Sequence, residues 1–570
     1  MHDLVIRNGT IVDGTGAAPV AGDVAVDGDR IVAVDTAGSA GRAHREIDAD
    51  GRLVLPGWVD VHTHYDGQAT WDPELTPSSW HGVTTTVFGN CGVGFAPLRP
   101  GTQDYLINLM EGVEDIPGSV LAEGIDFTWS TFEEYLDELA RTPRIMDVGV
   151  QIPHGALRFY VMGERGADHE EIPTEDEIGR MADAVASALA AGALGFSTSR
   201  TTKHKAADGR LTPSLTAAEP ELAGIADAMR RAGAGMIQCN SDFGDGEIEI
   251  LTEMARRSGR PVSVLLLQVD HDPDRWRRTL DGIHRANAEG LSMTGQVGCR
   301  PIGIMMGLDT SVHPFGNHPA YRAIADLPVP ERAARMRNDE TLRAALLTER
   351  PDDGFTRWMS YALGRTFELG TPPDYEPDPS RSLAALAERA GGSPWELALD
   401  LLADGDGDTL LLYPFENYTA GNLDVIREML IDDHTICGLG DGGAHVSTIC
   451  DASYPTYLLT HWARDRTRGE GIELARLVRK QTWDTARAFG LLDRGVIRPG
   501  YKADLNVVDF DHLAVTPPTV IHDLPAGGRR LIQRSVGYDH TVVSGVEVST
   551  GGEPTGARPG GLLRGATTRP

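Results

Sequence analysis

The chain has 570 residues, of which 41% are hydrophobic and 24% charged, so it is long and apolar enough for a large folded core. Asp and Glu number 83 against 52 Lys and Arg, a formal net charge of −31. A surface this acidic repels phosphate backbones and anionic bilayers, which argues against nucleic acid and membrane surfaces as partners; the charge itself reads as solubility, compatible with a small-molecule substrate.

The start, Met1-His2-Asp3-Leu4-Val5-Ile6, lacks a basic region followed by an apolar stretch, and no apolar run reaches membrane-spanning length. The five cysteines, Cys91, Cys239, Cys299, Cys437 and Cys450, are odd in number and scattered, unlike a disulfide framework. These features point to the cytoplasm. Oligomeric state is left open between monomer and homo-oligomer.

Residues 1–56 read as short strands joined by turns, with a hairpin signal at Asp27-Gly28-Asp29. Similar strand patterns return after residue 490, at Ala503–Val508 and Val542–Val546. Neither piece can bury a face alone, so the two are expected to pair into a small β-sandwich. The Gly-, Pro- and Thr-rich stretch from Gly551 to Pro570 is a tail or a surface strap.

Between these ends, apolar strand-like runs alternate with helices. The candidate strands are Leu53–Val61, Val83–Phe88, Val148–Val150, Ala193–Phe196, Met236–Ile237, Val262–Leu267, Leu291–Met293 and Ile436–Leu439. A helix before the fourth is marked by a Thr174/Glu177 capping box and an apolar face of Ile178, Met181, Ala182, Val185 and Leu189. Eight strands alternating with helices predict an α/β fold, a (β/α)8 TIM-like barrel over 57–490. The rhythm breaks at about 301–408, a helical insert before the last barrel strand. The sandwich parts are then 1–56 and 491–570.

Barrel active sites lie at the C-terminal ends of the strands. His62 and His64, in Val59-Asp60-Val61-His62-Thr63-His64, are two apart on a strand and face one side, an arrangement that suits a divalent metal. Cys91, in Gly89-Asn90-Cys91-Gly92-Val93-Gly94, reads as a thiolate ligand or as a small buried hydrophobe. Asp441, in Gly440-Asp441-Gly442-Gly443-Ala444-His445, reads as a catalytic carboxylate or as an Asp-Gly turn. His154, Arg200, Arg300, Asn417 and His445 are candidates for substrate binding, the arginines through a substrate carboxylate.

These segments resemble the amidohydrolase superfamily and, within it, the D-aminoacylase (N-acyl-D-amino-acid deacylase) family. The matching stretches are Leu4–Gly14, Leu55–Asp66, Gly89–Pro97, His154–Gly163, Gly192–Ser199, Gly440–Gly442 and the long signature from Asp493-Arg494-Gly495 through Pro499-Gly500-Tyr501-Lys502-Ala503-Asp504. The resemblance implies a metal-bearing barrel, a two-ended β-sandwich and hydrolysis of an amide-type C–N bond, such as that of an N-acyl-D-amino acid. It puts His62, His64 and Cys91 on metal-ligand positions and Asp441 on the catalytic aspartate. This chain departs from the family at two metal-ligand histidines, where Gln238 and Leu266 stand. Gln268 stands where the family's basic residue near the substrate carboxylate is expected. His62, His64, Cys91 and Asp441 remain, enough for one ion, with Zn²⁺ the best match to two nitrogens, a sulfur and an oxygen. Two alternatives stay open: a cyclic-amide hydrolase or deaminase of the same superfamily, and a non-catalytic ligand-binding relative.

Overall fold

A computed structural model describes residues 1–570. Eight parallel strands form one sheet in chain order: β1 Trp58–Asp60, β2 Val83–Phe88, β3 Asp147–Pro153, β4 Gly195–Arg200, β5 Met236–Ser241, β6 Val262–Leu265, β7 Met293–Val297 and β8 Thr435–Cys437. All eight fall on the expected segments, and helices cross back between them, as in Glu219–Ala232, Glu247–Ser258 and Arg275–Ala288. This is the (β/α)8 barrel. Every residue of β2 is buried, as a β-branched strand covered on both faces should be. The helix Glu175–Ala191 starts at its expected capping box: the Glu177 amide donates to Thr174 Oγ1 (3.3 Å) and the Thr174 amide to Glu177 Oε2 (2.8 Å).

Strands β8 and β1 are the two ends of the sheet. Just beyond them the backbones join: the Asp441 amide donates to His62 O (3.0 Å) and the His64 amide to Gly442 O (2.8 Å). Glycine is required at 440, since a Cβ there would lie 2.0 Å from Asp60 Oδ2.

A second sheet of nine strands draws on both ends of the chain. Leu505–Val508 pairs antiparallel with Leu53–Pro56, and the Val20–Asp27 and Arg30–Thr36 hairpin turns at Gly28-Asp29. A buried ionic cluster ties this sheet to the barrel. Asp147, at the start of β3, accepts from Arg494 Nη1 (2.8 Å) and from the Lys502 ammonium. Burial alone would raise the Asp147 carboxyl, but the Lys502 and Arg494 charges hold it below the usual range. Residues of the 493–504 signature therefore work as an anchor. The C-terminal segment is a strap: Gly561 N donates to Asp147 Oδ1 (3.0 Å), Leu563 N to Val148 O (2.8 Å) and Gly565 N to Gly192 O (2.9 Å).

Between β7 and β8, a small sheet of Ile302–Met306, Phe367–Glu368 and Leu411–Glu416 carries several helices around a separate apolar core. Its strand Leu411–Glu416 lies past residue 408, because the apolar run after the Asp-rich turn pairs with Ile302–Met306 rather than with the barrel. No helix is long and apolar enough to cross a membrane.

Replacing Arg494 by Ala leaves Asp147 and Asp504 buried against one fewer cation. The expected cost is about 3–5 kcal/mol, read as a lower denaturant midpoint; an unchanged midpoint would show that the cluster does not hold the two sheets together.

Candidate metal centre and active site

The residues beyond β1, β2 and β8 converge on one cavity of about 340 Å³ at the C-terminal end of the barrel. His62 and His64 follow β1 directly. Cys91 follows β2 on a tight turn begun by Gly89, whose φ of +75° and closeness to the Gln151 carbonyl admit no side chain. Asp441 and His445, both with positive φ, sit in the loop after β8.

His62 Nε2 lies 3.3 Å from Cys91 Sγ and 3.5 Å from Asp441 Oδ1. Its Nδ1 is 2.7 Å from Gln296 Oε1, which directs Nε2 into the cavity. His64 Nε2 is 3.9 Å from Asp441 Oδ1. The ligand atoms of His62, His64 and Cys91 all lie within 4.8 Å of one another.

A further carboxylate stands here that carries no sequence motif. Glu114 ends the helix Gln103–Glu114 and is 1% exposed. Its Oε1 is 3.3 Å from His64 Nδ1 and its Oε2 3.6 Å from His445 Nε2. His64 Nδ1, Glu114 Oε1 and Asp441 Oδ1 are all buried without a hydrogen-bond partner. Burial drives the His62 imidazole down to about 4 and the Cys91 thiol up, with Glu114 and Asp441 adding to the thiol's shift. Neutral imidazoles, a thiol and two carboxylates facing one space fit a divalent cation, which would favour the thiolate and balance the acids.

Gln238 and Leu266 add no ligand. Gln238 Oε1 accepts from the Cys91 amide (2.8 Å), supporting the turn, and Leu266 is packed in the core. Of the five expected substrate-binding residues, only His445 lines the cavity. His154 is fully buried between Thr198 Oγ1 and Glu221 Oε1, each 2.9 Å away. Arg200 is spent on a bidentate pair with Glu247 (2.7 and 2.9 Å). Arg300 donates to Cys450 O (2.8 Å), pairs with Asp451 and lies 3.7 Å over the Tyr375 ring. Asn417 Oδ1 accepts from the Gln268 amide (2.7 Å) and locks two loops together. In each case a partner distant in sequence claims the side chain. The cavity instead exposes Glu114, Asp115, Lys203, His204, Asn240 and Glu416, beside an apolar wall.

A model of the amidohydrolase family matches residues 45–549. An N-acyl-D-aspartate deacylase of Alcaligenes xylosoxydans xylosoxydans is 30% identical over 98% of this chain and 95% of its own length. A D-aminoacylase of the same organism is 27% identical over 98% of this chain and 97% of its own. A solved D-aminoacylase structure, described for its binuclear metal centre, covers 100% of both chains at 25% identity with a TM-score of 0.66.

Outer carboxylates that orient a metal-bound imidazole typically contribute about 10–100-fold in affinity. Replacing Glu114 by Gln is expected to weaken zinc binding within that range by competitive chelator titration, with the fold unchanged by circular dichroism. Unaltered affinity would remove Glu114 from the metal centre.

Proposed function

The chain belongs to the amidohydrolase family, and we propose that it holds one divalent ion, zinc, on His62, His64, Cys91 and Asp441 to hydrolyse the amide bond of a small N-acylated compound. It is a hydrolase of carbon–nitrogen bonds other than peptide bonds, which sets aside the non-catalytic alternative. The single observation that carries the proposal is the convergence of two imidazoles, a thiol and a carboxylate at the barrel's C-terminal end. No feature of the cavity separately favours a cyclic-amide hydrolase or a deaminase. Relatives are named for N-acyl-D-amino acids. The five cysteines, all free and buried, support a reducing cytoplasm.

When bound, the ion supplies Lewis acidity, polarising the acyl carbonyl and lowering the pKa of water at the site from 15.7 toward about 7. Asp441 does the proton work. Its Oδ1 has no hydrogen-bond partner and faces His62 and His64. Burial, with Asp451 and Asp60 nearby, raises its proton affinity. It takes a proton from water as the water oxygen bonds to the acyl carbon. It returns that proton to the nitrogen as the C–N bond breaks, so acid and amine leave together. Gln296 holds the His62 imidazole in place, and the Glu114 carboxyl lies 3.3 Å from His64 Nδ1.

Asp441→Asn keeps the shape and removes the proton acceptor. Turnover is expected to fall by about 10²–10⁴-fold while elemental analysis still finds zinc in the protein. Undiminished turnover would refute the role of Asp441. Chelation should abolish activity and added zinc restore it; activity that survives complete removal of metal would sink the metal-dependent reading.

A further inference from the structure

We infer that the substrate carries no free carboxylate on its amine portion, so that this enzyme acts on neutral or cationic N-acyl amines and amides rather than on N-acyl-amino acids. The inference rests on the amide-hydrolase reading above and concerns what the same cavity accepts.

The cavity's charges are lopsided. Its lining includes four carboxylates, Glu114, Asp115, Glu416 and Asp441, and, beside four histidines, one permanently cationic side chain, Lys203. The Lys203 ammonium is bonded to Glu416. A divalent ion would be balanced by the Cys91 thiolate and Asp441. Glu114 and Asp115 are further acids in the same lining, and in no protonation state does either supply positive charge. Asp115 is held by the hydroxyls of Ser311 (3.1 Å) and Thr448 (3.0 Å).

Of the neutral donors, His204 is engaged on both ring nitrogens. His204 places Nδ1 2.9 Å from Ser199 Oγ and Nε2 3.1 Å from Asn240 Nδ2. His445 turns Nε2 toward Glu114. Arg200 and Arg300, the side chains suited to gripping a carboxylate, point away into their own ion pairs. A substrate carboxylate would leave water to lie beside other acids, with no free guanidinium as a bidentate partner in return. An amide, an alkyl group or an ammonium incurs no such cost. The rest of the wall, including Leu265, Leu267, Ile302, Ile304 and Phe415, is apolar and suits a hydrocarbon body.

The test is acyl release by the zinc-loaded enzyme from N-acetylleucine and N-acetylleucinamide, each as both enantiomers, followed as acetate. The expected result is kcat/KM at least about tenfold higher for the leucinamide than for the acid in the preferred enantiomer. Equal or faster release from the acid overturns the inference and leaves the amide-hydrolase reading standing. Acetate from none of the four overturns that reading, and this one with it. Lys203→Met supplies a second measurement. Selective loss of acid turnover, with the leucinamide spared, would show that Lys203 leaves Glu416 to bind a substrate carboxylate, and would also overturn the inference. An unchanged ratio of leucinamide to acid turnover in that variant supports it.

Discussion

Two backbone hydrogen bonds, from the Asp441 amide to His62 O and from the His64 amide to Gly442 O, hold the rest of the site together. A parallel barrel needs its last strand to meet its first, and here the meeting is made beyond the strand ends, by the segments that carry the imidazoles and the carboxylate. The contacts that close the barrel are therefore the ones that place the imidazoles against the carboxylate. Asp60 completes the joint: its Oδ1 accepts from the His62 amide (3.1 Å), and its carboxylate crowds the space where a residue at 440 would need a Cβ. Burial pushes the Asp60 carboxyl up to about 7, yet the backbone amides of His62 and Gly440 pull the other way. The glycines around Asp441 thus serve the fold as much as the chemistry.

The barrel was legible because its strands are short apolar runs, several of them β-branched, whose pattern survives without knowledge of their neighbours. The grouping of His62, His64, Cys91 and Asp441 was legible because each sits within four residues of a strand's C-terminal end, and the fold brings those ends together. Side chains chosen by charge alone fared differently. Arg200, Arg300, His154 and Asn417 also stand close to strand ends, but Glu247, Asp451, Glu221 and Gln268 claim them. Such pairings join residues 47 to 151 positions apart, and no local pattern encodes them. Glu114 was illegible for the opposite reason. It ends an ordinary amphipathic helix, and only the packing of that helix over the barrel mouth turns its carboxylate toward His64.

Strands β5 and β6 present an amide and an aliphatic side chain where a second set of imidazoles is expected. The structure shows what replaces them: Gln238 braces the Cys91 turn, Leu266 fills core, and an acid enters from a helix on the β2 side. The shift moves the polar weight of the cavity toward β1, β2 and β8. The β6 side is left apolar, where it meets the small sheet of the insert. One chamber therefore has an acidic side and an apolar side.

The strap from Gly551 to Pro570 bears on how the protein is made. Asp147 meets Gly561, and Val148 meets Leu563, at the end of the barrel remote from the site. The strand Leu53–Pro56 likewise waits for Leu505–Val508. During synthesis the early strands emerge hundreds of residues before these partners. The seal at the start of β3 therefore forms only after all eight barrel strands have been made.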